Sequence, residues 1–158
     1  MSWSLRVCNG DLILDGASFG IVANENKLLQ DFRHFILERM GTDLDHRWYG
    51  SLLDGGTMEN GREVESVIAG TNWPAIQLRI EADLRRIGAQ YQRMQLDRAK
   101  RDRSRYNRST LTLGEVLAAI TSISFSQQAD ALYVQVGIQS GRENSTVVEL
   151  QLAPVLTR

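Results

Sequence analysis

Proline is nearly absent from this chain, with Pro74 and Pro154 the only two among 158 residues. Long helices and unbroken strands are therefore free of the residue that interrupts both. Cysteine is rarer still. Cys8 alone cannot close an internal disulfide, so a cross-linked scaffold is excluded, assembly in a reducing cytoplasm is expected, and the thiol reads as a small hydrophobe. No stretch approaches the roughly 20 apolar residues of a membrane span, and MSWSLRVCNG at the N-terminus lacks the apolar run of a signal peptide. An excess of one charge is missing too: 18 Lys and Arg stand against 19 Asp and Glu, a net charge of −1. Coating nucleic acid or an anionic membrane is not the expected role. No Gly-rich phosphate loop, Cys cluster, Gly-x-Ser-x-Gly elbow or His-Glu-x-x-His occurs, and His34 and His46 have no strong nucleophile near them in sequence. The expectation is a protein without enzymatic activity, cofactor or metal.

With 42% hydrophobic and 23% charged residues, the chain is large enough for one good core, and a single domain over residues 1–158 is expected. At the N-terminus Leu5, Val7, Leu12 and Leu14 flank Asn9-Gly10, the dipeptide that most readily adopts a two-residue primed turn, so a β-hairpin is predicted, followed by a short strand over residues 19–23. From residue 26 the period changes. At 100° per residue Leu28, Phe32, Phe35, Ile36 and Met40 share one arc, with Asn24 or Asn26 available as cap and Gly41 as terminator, which predicts a helix to about residue 40. Arg39 falls inside the apolar arc. It either reaches Asp43, Asp45 or Asp54 and locks the following loop to the helix, or lays its stem on the core with the guanidinium in water. Residues 42–62 read as an irregular loop pinned by Trp48, Tyr49, Leu52 and Leu53, and residues 63–69 as a short helix. Asp43, Asp45, His46 and Asp54 have no metal-ligand spacing.

Asn72 and Pro74 mark the start of a second long helix, in which Ile76, Ile80, Leu84, Ile87, Tyr91 and Met94 form one core face running to about Arg101. Ala75, Ala82, Ala89 and Leu96 recur every seven residues on the far side, beside Leu78, which would let another helix approach closely. RAKRDRSRYNR, residues 98–108, is the one basic stretch. It reads as the solvated end of the helix plus a linker, or as a patch in which Arg101, Arg103 and Arg105 face an acidic partner or nucleic acid, with Tyr106 available to stack. Thr112 and Glu115 form a capping box that predicts a short helix over residues 113–120. Three alternating segments follow: Ile123 and Phe125 among serines, Leu132 to Ile138 by twos, and Val148, Leu150 and Leu152. The predicted architecture is α+β: an N-terminal β-hairpin, two long helices, a short capped helix and a C-terminal three-stranded antiparallel meander with its apolar side on the helices.

LLQDFRHFILERMGTD, with WYGSLLDGG after it, resembles the opening segment of the small wedge proteins of contractile phage baseplates, the sheath initiator family. The matching residues are Gln30, Asp31, Leu37, Gly41, Tyr49, Gly50, Ser51, Leu52 and Leu53 in that order. The Glu-Pro-Arg signature carried by many members is absent here. The resemblance implies a structural subunit of the virion tail, assembled in the host cytoplasm, that links the baseplate core to the first sheath ring. Its implied partners are other wedge subunits, the sheath protein and the tail tube or hub, with no membrane or nucleic acid among them. It also implies strand exchange at the C-terminal sheet, through the strand carrying Val148 and Leu150 or that carrying Ile123 and Phe125. The rival readings are a glycan hydrolase using two acids, for example Glu38 and a loop aspartate, and a nucleic-acid-binding module using the basic stretch.

Overall fold

The computed structural model describes residues 3–8, 11–16, 18–128 and 131–152, so the Asn9-Gly10 turn and Pro154 lie outside the described residues. Among them are two α-helices and several small sheets in an α+β arrangement. Six two-residue strands come first: β1 (Ser4–Leu5), β2 (Val7–Cys8), β3 (Asp11–Leu12), β4 (Leu14–Asp15), β5 (Ser18–Phe19) and β6 (Ile21–Val22). β2 pairs with β3 across residues 9–10, in the register a two-residue hairpin turn requires. The pairing does not continue as one long hairpin, however. β1 pairs with β6 and β4 with β5, and where the three pairs meet, Arg6 donates to Gly20, Gly20 to Ile13 and Ile13 to Arg6, at 2.7–3.0 Å. This closed cycle of backbone hydrogen bonds joins segments offset by seven residues, and it gives the N-terminal unit an approximate threefold form.

Helix α1 (Asn24–Leu37) buries Leu28, Phe32, Phe35 and Ile36 of the expected arc, whereas Met40, its fifth member, is buried from outside the helix. Neither asparagine caps it in the expected way. Ala23 is the N-cap residue, while Asn24 has φ +53° and accepts a hydrogen bond from the Thr112 hydroxyl. The helix also stops at Leu37. Arg39 and Met40 form β7 (Arg39–Met40), parallel to β8 (Ser51–Thr57), so residues 51–57 of the expected irregular loop are sheet. Gly41 is required for that strand exit rather than as a helix terminator: its φ is +84°, and a Cβ there would stand 2.5 Å from the Thr57 carbonyl. β9 (Glu63–Val64) pairs with β8 where a short helix was expected.

Helix α2 (Trp73–Tyr106) starts as predicted, with Asn72 Oδ1 accepting from Ala75 N–H, and buries Ile76, Ile80, Leu84, Ile87 and Tyr91. It runs past Arg101 to a left-handed Asn107, which makes most of the basic stretch helical rather than linker. The Thr112–Glu115 capping box forms, but it caps only a 3-10 turn (Leu113–Glu115). Gln95 of α2 takes the next residues: its amide donates to Glu115 O and accepts from Leu117 N, and the chain leaves extended as β10 (Leu117–Gln128) instead of continuing a helix to residue 120.

β11 (Ala131–Ser140) is central between β10 and β12 (Ser145–Leu152), all antiparallel, which is the predicted meander. Leu132, Val134, Val136, Ile138, Val148 and Leu150 are buried on one side of the sheet, in one apolar cluster with both helices.

Candidate assembly interface

Among the described residues the C-terminal sheet has one covered face and two edge strands. On β12 every second side chain, Val148, Leu150 and Leu152, enters the core, while Val147, Glu149 and Gln151 are exposed. Ser140 N–H donates to Asn144 at 2.9 Å where β11 turns into β12. Antiparallel alternation from that pair directs the N–H groups of Ser145, Val147, Glu149 and Gln151 away from β11. Among the described residues nothing pairs with them, and no proline or lysine defends the edge. On β10, Ile123 and Phe125 are half-buried against the core, Phe125 edge-on to Trp73. The start of β10 is less open, because Gln92 of α2 donates to Leu117 O and Ala118 O. The better-exposed edge is β12.

The expected lock around Arg39 does not form. Because α1 ends at Leu37, Arg39 lies on a strand and is exposed, with no carboxylate in ion-pair range among the described residues. Asp54 is exposed. Asp43 closes its own turn, accepting from the N–H groups of Asp45 and His46 and approaching the His46 ring at 3.1 Å. Partial burial pushes the Asp43 carboxyl up, but these donors outweigh it and hold the group below its ordinary value. The segment from Tyr49 to Leu53 is locked by other residues. Asp83, whose side chain is 3% exposed, accepts from Leu52 N–H at 2.8 Å and pairs with Arg86 at 2.6 Å, and Arg86 also donates to Gly50 O. Gly50 fits there because its φ is +101° and a Cβ would stand 2.5 Å from the Glu38 carbonyl. Sequence reasoning passed over Asp83. Its signal was an acid within a turn of Ile80, Leu84 and Ile87, on the helix face that had to be buried.

The basic residues do not converge either. Arg101 and Arg105 are one helical turn apart, whereas Arg103, two residues from each, projects to another side of α2, and all three are exposed. Asp102 turns back to bond both the N–H and the hydroxyl of Thr110, which keeps its carboxyl below the ordinary range. Between the helices lies a cavity of about 300 Å³ lined in part by Lys27, Asp31, Tyr91 and Glu115. Lys27 is buried and pairs with Asp31. Burial drives the Tyr91 hydroxyl far above its ordinary pKa. Glu115 Oε2 receives Thr112 N–H, while Oε1 is the one buried side-chain polar atom without a protein partner among the described residues. Glu38, the acid considered for hydrolysis, is exposed and accepts from the Thr42 hydroxyl. No group of three or more His, Cys, Asp or Glu able to hold a metal ion occurs among the described residues.

Among the described residues these features define a class: an α+β protein with a one-sided antiparallel sheet whose last described strand has an unpaired edge. Compared with models of known protein families, with curated proteins and with solved structures, the chain matches none of them.

Proposed function

We propose that this protein is a structural subunit of a contractile-tail baseplate wedge, joining the baseplate core to the first sheath ring and starting sheath assembly by strand addition. The observation that carries the reading is the open β12 edge, where Ser145, Val147, Glu149 and Gln151 aim unpaired donors outward while Val148 and Leu150 anchor the same strand in the core. The ordered resemblance from Gln30 to Leu53 supports the same role. In this mechanism a strand of the first sheath ring lies along β12, the backbone supplies affinity, and the buried face fixes register, since a one-residue slip of β12 would expose Val148 and Leu150. The finer arrangement we infer is one wedge domain over the whole chain. It sits in the virion tail after assembly in the host cytoplasm, contacts other wedge subunits, and touches the tube or hub away from the sheet.

Proline at Val147 and Glu149 tests the mechanism, because both residues point their N–H groups outward and their side chains into solvent. The double variant is expected to melt like the parent, as proline is tolerated on an edge strand whose N–H makes no ladder bond, and to yield baseplates without sheath under the electron microscope. Normal sheath growth on a folded double variant overturns strand addition at this edge.

A further inference from the structure

The N-terminal unit presents an apolar surface that the core does not use. Leu5 pairs with Ile21, Val7 with Leu12 and Leu14 with Phe19, while Leu5 and Val7, Leu12 and Leu14, and Phe19 and Ile21 stand two residues apart on their segments. Cross-strand partners and i, i+2 neighbours share a face, so these six side chains close into a ring on one side of the unit. The ring is largely uncovered: Leu14 is 61% exposed, Phe19 53% and Ile21 63%.

Val7 and Ile21 also belong to a groove of about 520 Å³ between this unit and α1. The helix side of the groove supplies Leu29, Arg33 and Leu37, each about one turn from the next, and Leu37 is half exposed. Gln30 fixes its geometry by gripping the strand backbone, accepting from Val7 N–H at 2.9 Å and donating to Leu5 O at 2.8 Å. The charge lining it has one sign. Arg6 and Arg33 contribute it, and none of the lining residues is acidic. Both arginines are exposed and have no carboxylate within ion-pair range among the described residues, Asp15 on the Arg6 side of the unit included.

We propose that this groove, together with the apolar ring beside it, docks an amphipathic segment of a different protein chain: apolar side chains on one face, flanked by carboxylates that meet Arg6 and Arg33. A second copy of this chain is the poorer occupant, because a twofold self-contact would set these guanidinium groups against their own counterparts. The groove lies on the N-terminal unit and α1, apart from β12, and its occupancy does not depend on sheath growth.

The test uses the full chain and a displayed library of random 16-residue peptides, with enriched sequences remade and measured by fluorescence anisotropy. Enriched peptides are expected to combine helical apolar spacing with Asp or Glu. Arg33→Glu, at an exposed position, is expected to weaken them at least tenfold while leaving the melting temperature unchanged, and Leu37→Ser is expected to weaken them as well. Exchanging the peptide carboxylates for Lys is expected to restore binding to Arg33→Glu. Selection of peptides without acidic bias, no enrichment at all, indifference to both variants, or concentration-dependent dimerisation that Arg33→Glu abolishes would each overturn the proposal.

Discussion

Arg39 and Asp83 show how a charged residue on an apolar arc is judged by where its helix ends. Arg39 shares the arc of Phe32 and Ile36 only if α1 continues beyond Leu37, and it does not, so the guanidinium stays in water. Asp83 lies well inside α2, where it cannot escape, and it is satisfied by Arg86 and Leu52 N–H. Removing one partner of a buried pair leaves the other uncompensated, at a cost of about 3–5 kcal/mol. Asp83→Ala should therefore lose stability on that scale in urea titration and release the segment from Tyr49 to Leu53, seen as faster amide exchange at Leu52. Arg39→Met should change stability by no more than about 0.5 kcal/mol, as exposed substitutions do. The reverse ranking would show that Arg39 holds the loop after all.

Elements here are decided by what captures their ends. The Thr112–Glu115 box is a sound helix start, and it forms, yet only a 3-10 turn grows from it because Gln95 bonds Glu115 O and Leu117 N and the next residues pair with β11. A local capping signal cannot report a buried amide that arrives from a helix about 20 residues earlier in the chain. Gln95→Met keeps the packing volume but strands both backbone groups, at about 1–3 kcal/mol for each. The expected result is a lower unfolding midpoint in urea and loss of exchange protection at the Leu117 amide, with α2 intact by circular dichroism. An unchanged midpoint would mean that water replaces the amide and that the pairing of β10 alone ends the turn. The N-terminal strands teach the same lesson. Asn9-Gly10 announced a hairpin, but pairing beyond Val7 and Leu12 passes to β1–β6 and β4–β5 because the chain bends at Arg6, Ile13 and Gly20. The seven-residue recurrence of Leu5, Leu12 and Phe19, with Val7, Leu14 and Ile21, was the readable signal for that bend.

Across the whole molecule, the β12 edge and the groove beside α1 lie on different elements, which suits a subunit that joins one component to another. If the wedge role holds, mass spectrometry of purified tails should find this chain at a copy number that is a multiple of six; absence from tails, or another stoichiometry, would count against it. The sequence by itself determined the α+β class, the core arcs of both helices, the start of α2 and the alternating faces of β10 to β12, because each follows from a periodicity of 3.6 or 2 set by backbone geometry and the removal of apolar groups from water. Tertiary structure alone decided where α1 stops, that Thr112 starts a turn rather than a helix, that Asp83 replaces Arg39 as the lock, and that Arg103 parts from Arg101 and Arg105. Each of these depends on a hydrogen-bonding or pairing partner distant in sequence, or on how far a helix continues past its apolar face. Such partners and endpoints are set only when the chain has packed.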